Sequence, residues 1–200
     1  MMGDYFKNKA GSYETVSHRV NNVRNIAAAI LASTELSGDM ELLDFGSGTG
    51  LLLERVAPSV KKITALDISV AMNQQLDAKR SRIDCELDIV TLDLTQSNCP
   101  QKFDGIISSM TMHHIEDVEA VLVKFYSMLE EGGFIAIADL VTEDGSFHAE
   151  DTGVFHAGFD PEKFRKLAKC AGFKLVACRQ VSVVKKPQGD YPVFLLTARK

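Results

Sequence analysis

Apolar positions along the chain recur with two periods, and the changes from one to the other mark out the elements. Over residues 15–32, Val16, Val20, Val23, Ala27, Ile30 and Leu31 fall three or four apart, which predicts an amphipathic helix ended by Ser37-Gly38-Asp39. Residues 41–45 are a short apolar run that leads into glycines and read as a strand, followed by a helix over 50–57 closed by Pro58. The alternation then repeats: strand 62–66, helix 70–80, strand 87–92, strand 103–108, helix 117–129 and strand 134–138, with Gly132-Gly133 expected to stop the last helix. These strands are nearly continuous apolar runs, as strands covered on both faces should be. Strands alternating with helices imply parallel crossovers and an α/β sheet.

The final third reads differently. Residues 140–158 are polar and loop-like. Asp160-Pro161 then opens a helix, with Asp160 as cap and Pro161 at the first helical position, and Gly172 stops it. Two last strands, 174–184 and 193–198, are joined by residues 185–192, too short a link for a helical crossover, so they should pair antiparallel.

Composition narrows the class. Two hundred residues with 46% apolar and 24% charged side chains suit one globular domain, taken as 1–200. No apolar run reaches membrane-spanning length, and no apolar stretch follows the start of the chain as a leader would require, so a cytoplasmic protein is expected. A net charge of −5 argues against a nucleic-acid partner, whose phosphates need a concentrated basic field. Cys85, Cys99, Cys170 and Cys178 match no zinc spacing and read as reduced small hydrophobes. No metal site is expected.

Chemistry gathers at the strand ends. In Asp44-Phe45-Gly46-Ser47-Gly48-Thr49-Gly50, three glycines allow a tight turn and close approach of a ligand to the backbone. The third glycine comes one residue too early for a dinucleotide fingerprint, and no lysine follows Gly50 as a phosphate loop would need. Neither Lys nor Arg stands between Met40 and Glu54, so the loop suits a cationic or amino-bearing ligand rather than a phosphate. Asp67 is placed to accept from ribose hydroxyls, and Asp93 from an adenine amine. Together they describe a nucleoside without phosphate.

On these segments, together with 103–115, 129–140 and the His-x-Gly-Phe-Asp-Pro element at 156–161, the sequence resembles the class I S-adenosylmethionine-dependent methyltransferases, in particular the small single-domain proteins that act mostly on small molecules. The resemblance covers nearly the whole chain. It implies a Rossmann-like doubly wound sheet of seven strands, order 3-2-1-4-5-7-6 with strand 7 antiparallel and helices on both faces. It also implies an N-terminal helical cap (1–36) and a substrate-covering segment (140–159). For the cofactor it implies that Gly46, Ser47, Gly48 and Gly50 form the loop and that Asp44 holds the amino end, directly or through water. Asp67 would take the ribose, Ile68 and Leu94 would flank the adenine, Asp93 would accept from its amine, Ser109 would line the methionine side, and Tyr13 would close over the whole.

The sulfonium is a strongly activated methyl donor, so positioning can supply most of the acceleration, and a base is needed only if the acceptor must lose a proton early. His113 and His114 are the candidates for that role, and His148, Phe155 and His156 for the acceptor wall. Glu143, Asp144, Glu150 and Asp151 make the covering segment acidic, which suits a cationic acceptor and at least equally a solvated loop. The expected activity is methyl transfer to a small molecule (EC 2.1.1.-), ahead of a protein acceptor. An NAD(P)-dependent oxidoreductase on a related fold and a non-catalytic cofactor-binding protein are the readings of other classes.

Overall fold

The computed structural model describes residues 5–148, 150 and 152–200. Seven strands form one sheet: β1 (Glu41–Phe45), β2 (Lys62–Asp67), β3 (Glu86–Thr91), β4 (Phe103–Ser109), β5 (Leu129–Leu140), β6 (Lys174–Lys186) and β7 (Gly189–Arg199). Their order is 3-2-1-4-5-7-6. The strands from β3 across to β5 pair parallel, and β7 runs antiparallel to both β5 and β6, as the sequence predicts.

Five α-helices cover the sheet: α1 (Ser17–Ser33), α2 (Leu53–Val56), α3 (Val70–Asp77), α4 (Val118–Met128) and α5 (Pro161–Cys170). Ile26 and Ile30 of α1, Leu53 of α2 and Leu76 of α3 share one buried cluster with Leu42 and Ile63. Phe125 of α4 and Phe164 of α5 lie in a second, with Leu43, Ile106 and Phe194. Leu42 and Leu43 are neighbours in β1 yet belong to opposite clusters, because successive strand side chains point to opposite faces. No helix among the described residues is long and apolar enough to cross a membrane.

Caps fix where three helices begin. The side chain of Ser69 accepts from Met72 N at 3.3 Å, that of Asp117 from Ala120 N at 2.9 Å, and that of Asp160 from Glu162 N and Lys163 N at 2.8 and 3.0 Å. Each holds the first turn of its helix at the carboxyl end of the sheet.

Three expectations need correction. Gly132-Gly133 does not end α4: β5 starts at Leu129, and the glycines lie inside it, where the register with β4 shifts between Phe103 and Gly105. Gly132 has φ +79°, which only glycine adopts without strain, so the pair forms an irregularity in the strand rather than a helix stop. The last two strands extend until Lys186 faces Gly189, leaving only Pro187-Gln188 as the turn. The helix expected over 50–57 shortens to α2, and Pro58 sits in a following 3-10 turn, Ala57–Ser59.

α1 buttresses the sheet at β6, through Asn25 Nδ2 to Ser182 Oγ (3.3 Å) and Arg179 to Ser33 Oγ (2.9 Å), while Tyr5, Phe6, Tyr13, His18 and Arg19 reach the cavities at the sheet's carboxyl end. The segment after β5 is pinned at both ends: Val141 bridges Phe159, and Phe159 N donates to Leu140 O at 2.8 Å.

Candidate active site

The loop after β1 is shaped by its glycines. Gly46, Gly48 and Gly50 all have positive φ, at 71°, 55° and 87°. A Cβ on Gly46 would lie 2.3 Å from the Thr111 side chain, whereas one on Gly48 would meet nothing within 4 Å. Gly48 therefore presents bare backbone to an open cavity, while Gly46 is clamped against the loop after β4.

That cavity is lined by Gly46, Gly48, Asp67, Ile68, Asp93 and Leu94 on one side and by Tyr13, Ser109, Met110, Thr111 and His114 on the other. The Asp67 carboxylate accepts from Gly48 N and Ser69 N, both at 2.8 Å, so it braces the glycine loop against the end of β2. Ile68 is 45% exposed, an unusual position for isoleucine and a ready apolar face for a flat ring. Asp93 stands two residues beyond β3 rather than on its end, held in a turn by Thr95 N at 2.9 Å and Thr95 Oγ1 at 2.6 Å. Tyr13 reaches this cavity from the first 3-10 turn, with the Arg19 guanidinium 4.5 Å from its ring centroid, and burial raises its pKa. Glu14 turns away to Lys79, at 2.5 Å.

Asp44 and Ser47 do not line the cavity wall. Asp44 is 1% exposed beneath the loop, its Oδ2 has no hydrogen-bond partner, and burial followed by the nearby Asp67 charge pushes its pKa up to about 8. Ser109 Oγ, at the mouth of β4, is likewise buried and unpartnered. A bare glycine backbone, an exposed Ile68, two strand-end carboxylates and two orphaned polar atoms fit a nucleoside ligand carrying a cationic amino-acid end.

A second cavity adjoins the first. Tyr13, Ser109, Met110, His114 and Thr152 border both, and the second is further walled by His113, Phe147 and His148 and by Lys9, His18, Arg19 and Lys186. Met110 sits at the seam with φ +59°, a left-handed conformation rare for a side chain of its size, held by Met110 N to Ala138 O at 2.8 Å.

The sequence reading missed the acid that organises this second cavity. Asp139, fully buried near the end of β5, accepts from His113 Nδ1 at 2.6 Å, from His113 N at 3.2 Å and from Leu140 N at 2.7 Å. His113 Nε2 is 3.3 Å from His148 Nε2, whose ring meets Thr152 Oγ1 through Nδ1 at 3.0 Å. Burial, followed by the neighbouring imidazoles, lowers His114 to about 4 and His148 to about 3, so both are neutral at pH 7.

His156 and Phe155 do not join them. His156 Nε2 bonds to Ile115 O at 2.9 Å, tying the covering segment to the loop before α4, and its side chain borders a different surface groove. Phe155 is 45% exposed and lines neither cavity, because Phe155 N and His156 N both donate to His113 O and fix the chain facing outward there. The acids of the covering segment do not themselves line the cavity: Glu143 accepts from Phe147 N, Asp144 from Ser146 and Glu150 from Lys9, while Asp151 lies outside the described residues. Among the described residues the second cavity is lined by the cations Lys9, Arg19 and Lys186, which does not favour the cationic-acceptor reading of the acidic segment.

A seven-stranded sheet with one reversed strand, a glycine loop after β1 and acids after β2 and β3 defines a methyltransferase-type α/β domain. The chain belongs to the methyltransferase domain family, whose model matches residues 17–178. An uncharacterized methyltransferase of Schizosaccharomyces pombe is 28% identical over 168 residues, 76% of this chain and 57% of the relative, so the chain spans a little over half of that protein. Among solved structures, the complex between the Haloferax volcanii Trm112 methyltransferase activator and the putative methyltransferase holds a chain that superposes with TM-score 0.79 at 17% identity, covering 100% of this chain and 99% of that one. Magnesium protoporphyrin IX methyltransferase of Synechocystis, solved with bound S-adenosylhomocysteine, gives 0.69 at 18%, covering 92% and 84%.

Proposed function

We propose that the chain binds S-adenosylmethionine in the first cavity and transfers its methyl group to a small molecule held in the second. The observation that carries this reading is the shared border: Ser109, Met110 and His114 face both cavities, so a donor in one and an acceptor in the other meet there without crossing protein. The cofactor supplies an activated methyl group; the chain supplies position. Gly48 and Asp67 hold the ribose side, Ile68, Asp93 and Leu94 the adenine, and Asp44 and Ser109 the amino-acid end. Holding donor and acceptor in line converts a bimolecular encounter into a unimolecular step, which is where such an enzyme gains most.

The Asp139–His113 pair would orient an acceptor group or take its proton, since Asp139 fixes His113 with Nδ1 as donor and leaves Nε2 to act. The cation lining favours an acceptor with a carboxylate or other anionic group, and the enclosed setting favours a small molecule over a protein side chain.

Binding tests the reading directly. Saturating S-adenosylhomocysteine should raise the melting temperature, NAD(P) should not, and Asp67→Ala should abolish the rise. A dinucleotide that stabilises the protein while S-adenosylhomocysteine does not would overturn it. Incubation with radiolabelled S-adenosylmethionine and metabolite extracts fractionated by charge should label an anionic fraction.

A further inference from the structure

We propose that His113, His114 and His148 form a site for one divalent transition-metal ion, of which zinc suits the donor set best, at the seam between the two cavities. One ring nitrogen from each lies within 4.8 Å of the others. In all three rings Nδ1 is engaged by a protein oxygen: the Asp139 carboxylate at 2.6 Å, the Gly153 carbonyl at 3.3 Å and the Thr152 hydroxyl at 3.0 Å. Metal-bound histidines characteristically donate their second ring nitrogen to such a partner, which fixes the tautomer and presents Nε2 as the ligand.

The spacing agrees for one pair, the Nε2 atoms of His113 and His148 being 3.3 Å apart, and His114, with its ligand nitrogen within 4.8 Å of both, would close in on the ion. Tetrahedral Zn–N bonds of about 2.0–2.1 Å place neighbouring ligand nitrogens about 3.3–3.4 Å from each other. Where Nδ1 is the donor in both rings, the tautomer a bound ion would select, both Nε2 lone pairs are free for the cation. Imidazole donors select zinc and its late first-row neighbours over magnesium or calcium, which prefer oxygen.

Three protein ligands leave a fourth position open, as in catalytic rather than structural zinc sites. His114 borders both cavities, so that position faces the junction, and Arg19 and Lys186 in the same lining favour an anionic fourth ligand such as a thiolate or carboxylate. Service to the acceptor rests on the methyl-transfer reading, and with the ion bound it replaces proton transfer to His113 Nε2; the ion site itself does not rest on that reading.

The full chain, stripped with chelator and dialysed, is titrated with Co²⁺ in the absence of cofactor while the visible ligand-field absorption is followed. The expected result is one ion per chain with the intense spectrum of a four- or five-coordinate site, displaced stoichiometrically by Zn²⁺. His148 lies on a loop, so His148→Ala should keep its circular dichroism and lose the absorption, while His156→Ala retains it. Asp139→Asn, a change at a positioning residue, should weaken binding by about 10–100-fold. An octahedral aqua-type spectrum in the parent, or binding unchanged in His148→Ala, overturns the site. S-adenosylhomocysteine binding is measured on the same stripped protein: if it persists while Co²⁺ binding is absent, the ion site alone fails. If it is absent while Co²⁺ binds, the cofactor reading fails and the ion site stands.

Discussion

Replacing Asp44 by Asn should stabilise the cofactor-free protein, and the gain should grow with pH. Asp44 is buried in β1, its Oδ2 has no partner, and its pKa rises from 3.8 to about 8 through burial and the Asp67 charge. In the unfolded chain the carboxyl ionises near pH 4, whereas in the folded chain it stays protonated until about pH 8. A raised carboxylate pKa therefore costs stability progressively as pH climbs between those limits, and costs nothing extra below the lower one. At pH 7 the gap from 3.8 corresponds to about 4 kcal/mol at 1.36 kcal/mol per unit, against about 2 at pH 5. Asparagine escapes that dependence. Two pH units between these limits correspond to about 2.7 kcal/mol, and 1 kcal/mol moves the melting temperature of a chain this long by about 2–4 °C, so the variant's advantage should widen by about 5–11 °C from pH 5 to pH 7. Thermal melts of both proteins across that range measure it. The same substitution should weaken S-adenosylhomocysteine binding, and binding to the parent at pH 7 should release a proton, visible as a calorimetric enthalpy that depends on the buffer's ionisation enthalpy. A melting difference that stays flat with pH would refute the reasoning, whatever its sign.

The glycine loop offers a paired test. Gly46→Ala drives a methyl into Thr111 at a left-handed φ and should lower stability by more than about 1 kcal/mol, read by urea unfolding. Gly48→Ala meets open space, so it should lose less stability and instead cut cofactor affinity, read by calorimetry. In the covering segment, His156→Ala should lower the melting temperature by breaking the bond to Ile115 O, whereas Phe155→Ser, at an exposed position, should leave melting and cofactor binding unchanged. Loss of acceptor turnover in Phe155→Ser would show that the segment closes further than its position here implies.

Much of the fold was legible because the signals are local. Strand-length apolar runs, the capping residue Asp160 and the glycines after β1 each act within a few residues, whereas the order of the strands is not a local property and was legible only through the family resemblance. The two-residue turn before Gly189 was hidden because Pro192 reads as a strand breaker. It is accommodated in β7 where the pairing with β6 has just shifted register, between Gln180 and Ser182, and its carbonyl still accepts from Val141 N. Gly132 misled for a related reason, since a left-handed glycine serves a helix stop and a strand irregularity equally well.

The lining of the first cavity was also legible, because Gly46, Gly48, Asp67, Ile68, Asp93 and Leu94 stand at or just beyond strand ends, whose position the topology sets. The acceptor side was not, and Asp139 shows why. In sequence it is one acid ending an apolar run in a chain with 27 Asp and Glu residues, and nothing local marks it as buried. Its importance comes from being 26 residues from His113 and bonded to it, a pairing made only when β4 and β5 lie side by side. The histidines posed the opposite problem. His148 and His156 look alike in the sequence, eight residues apart in one polar segment, but two backbone bonds to His113 O turn the chain between them. His148 is thereby placed against His113, and His156 is sent to the carbonyl of Ile115. The same two bonds tie the covering segment to the loop after β4, a link between residues more than 40 apart that only the folded chain makes.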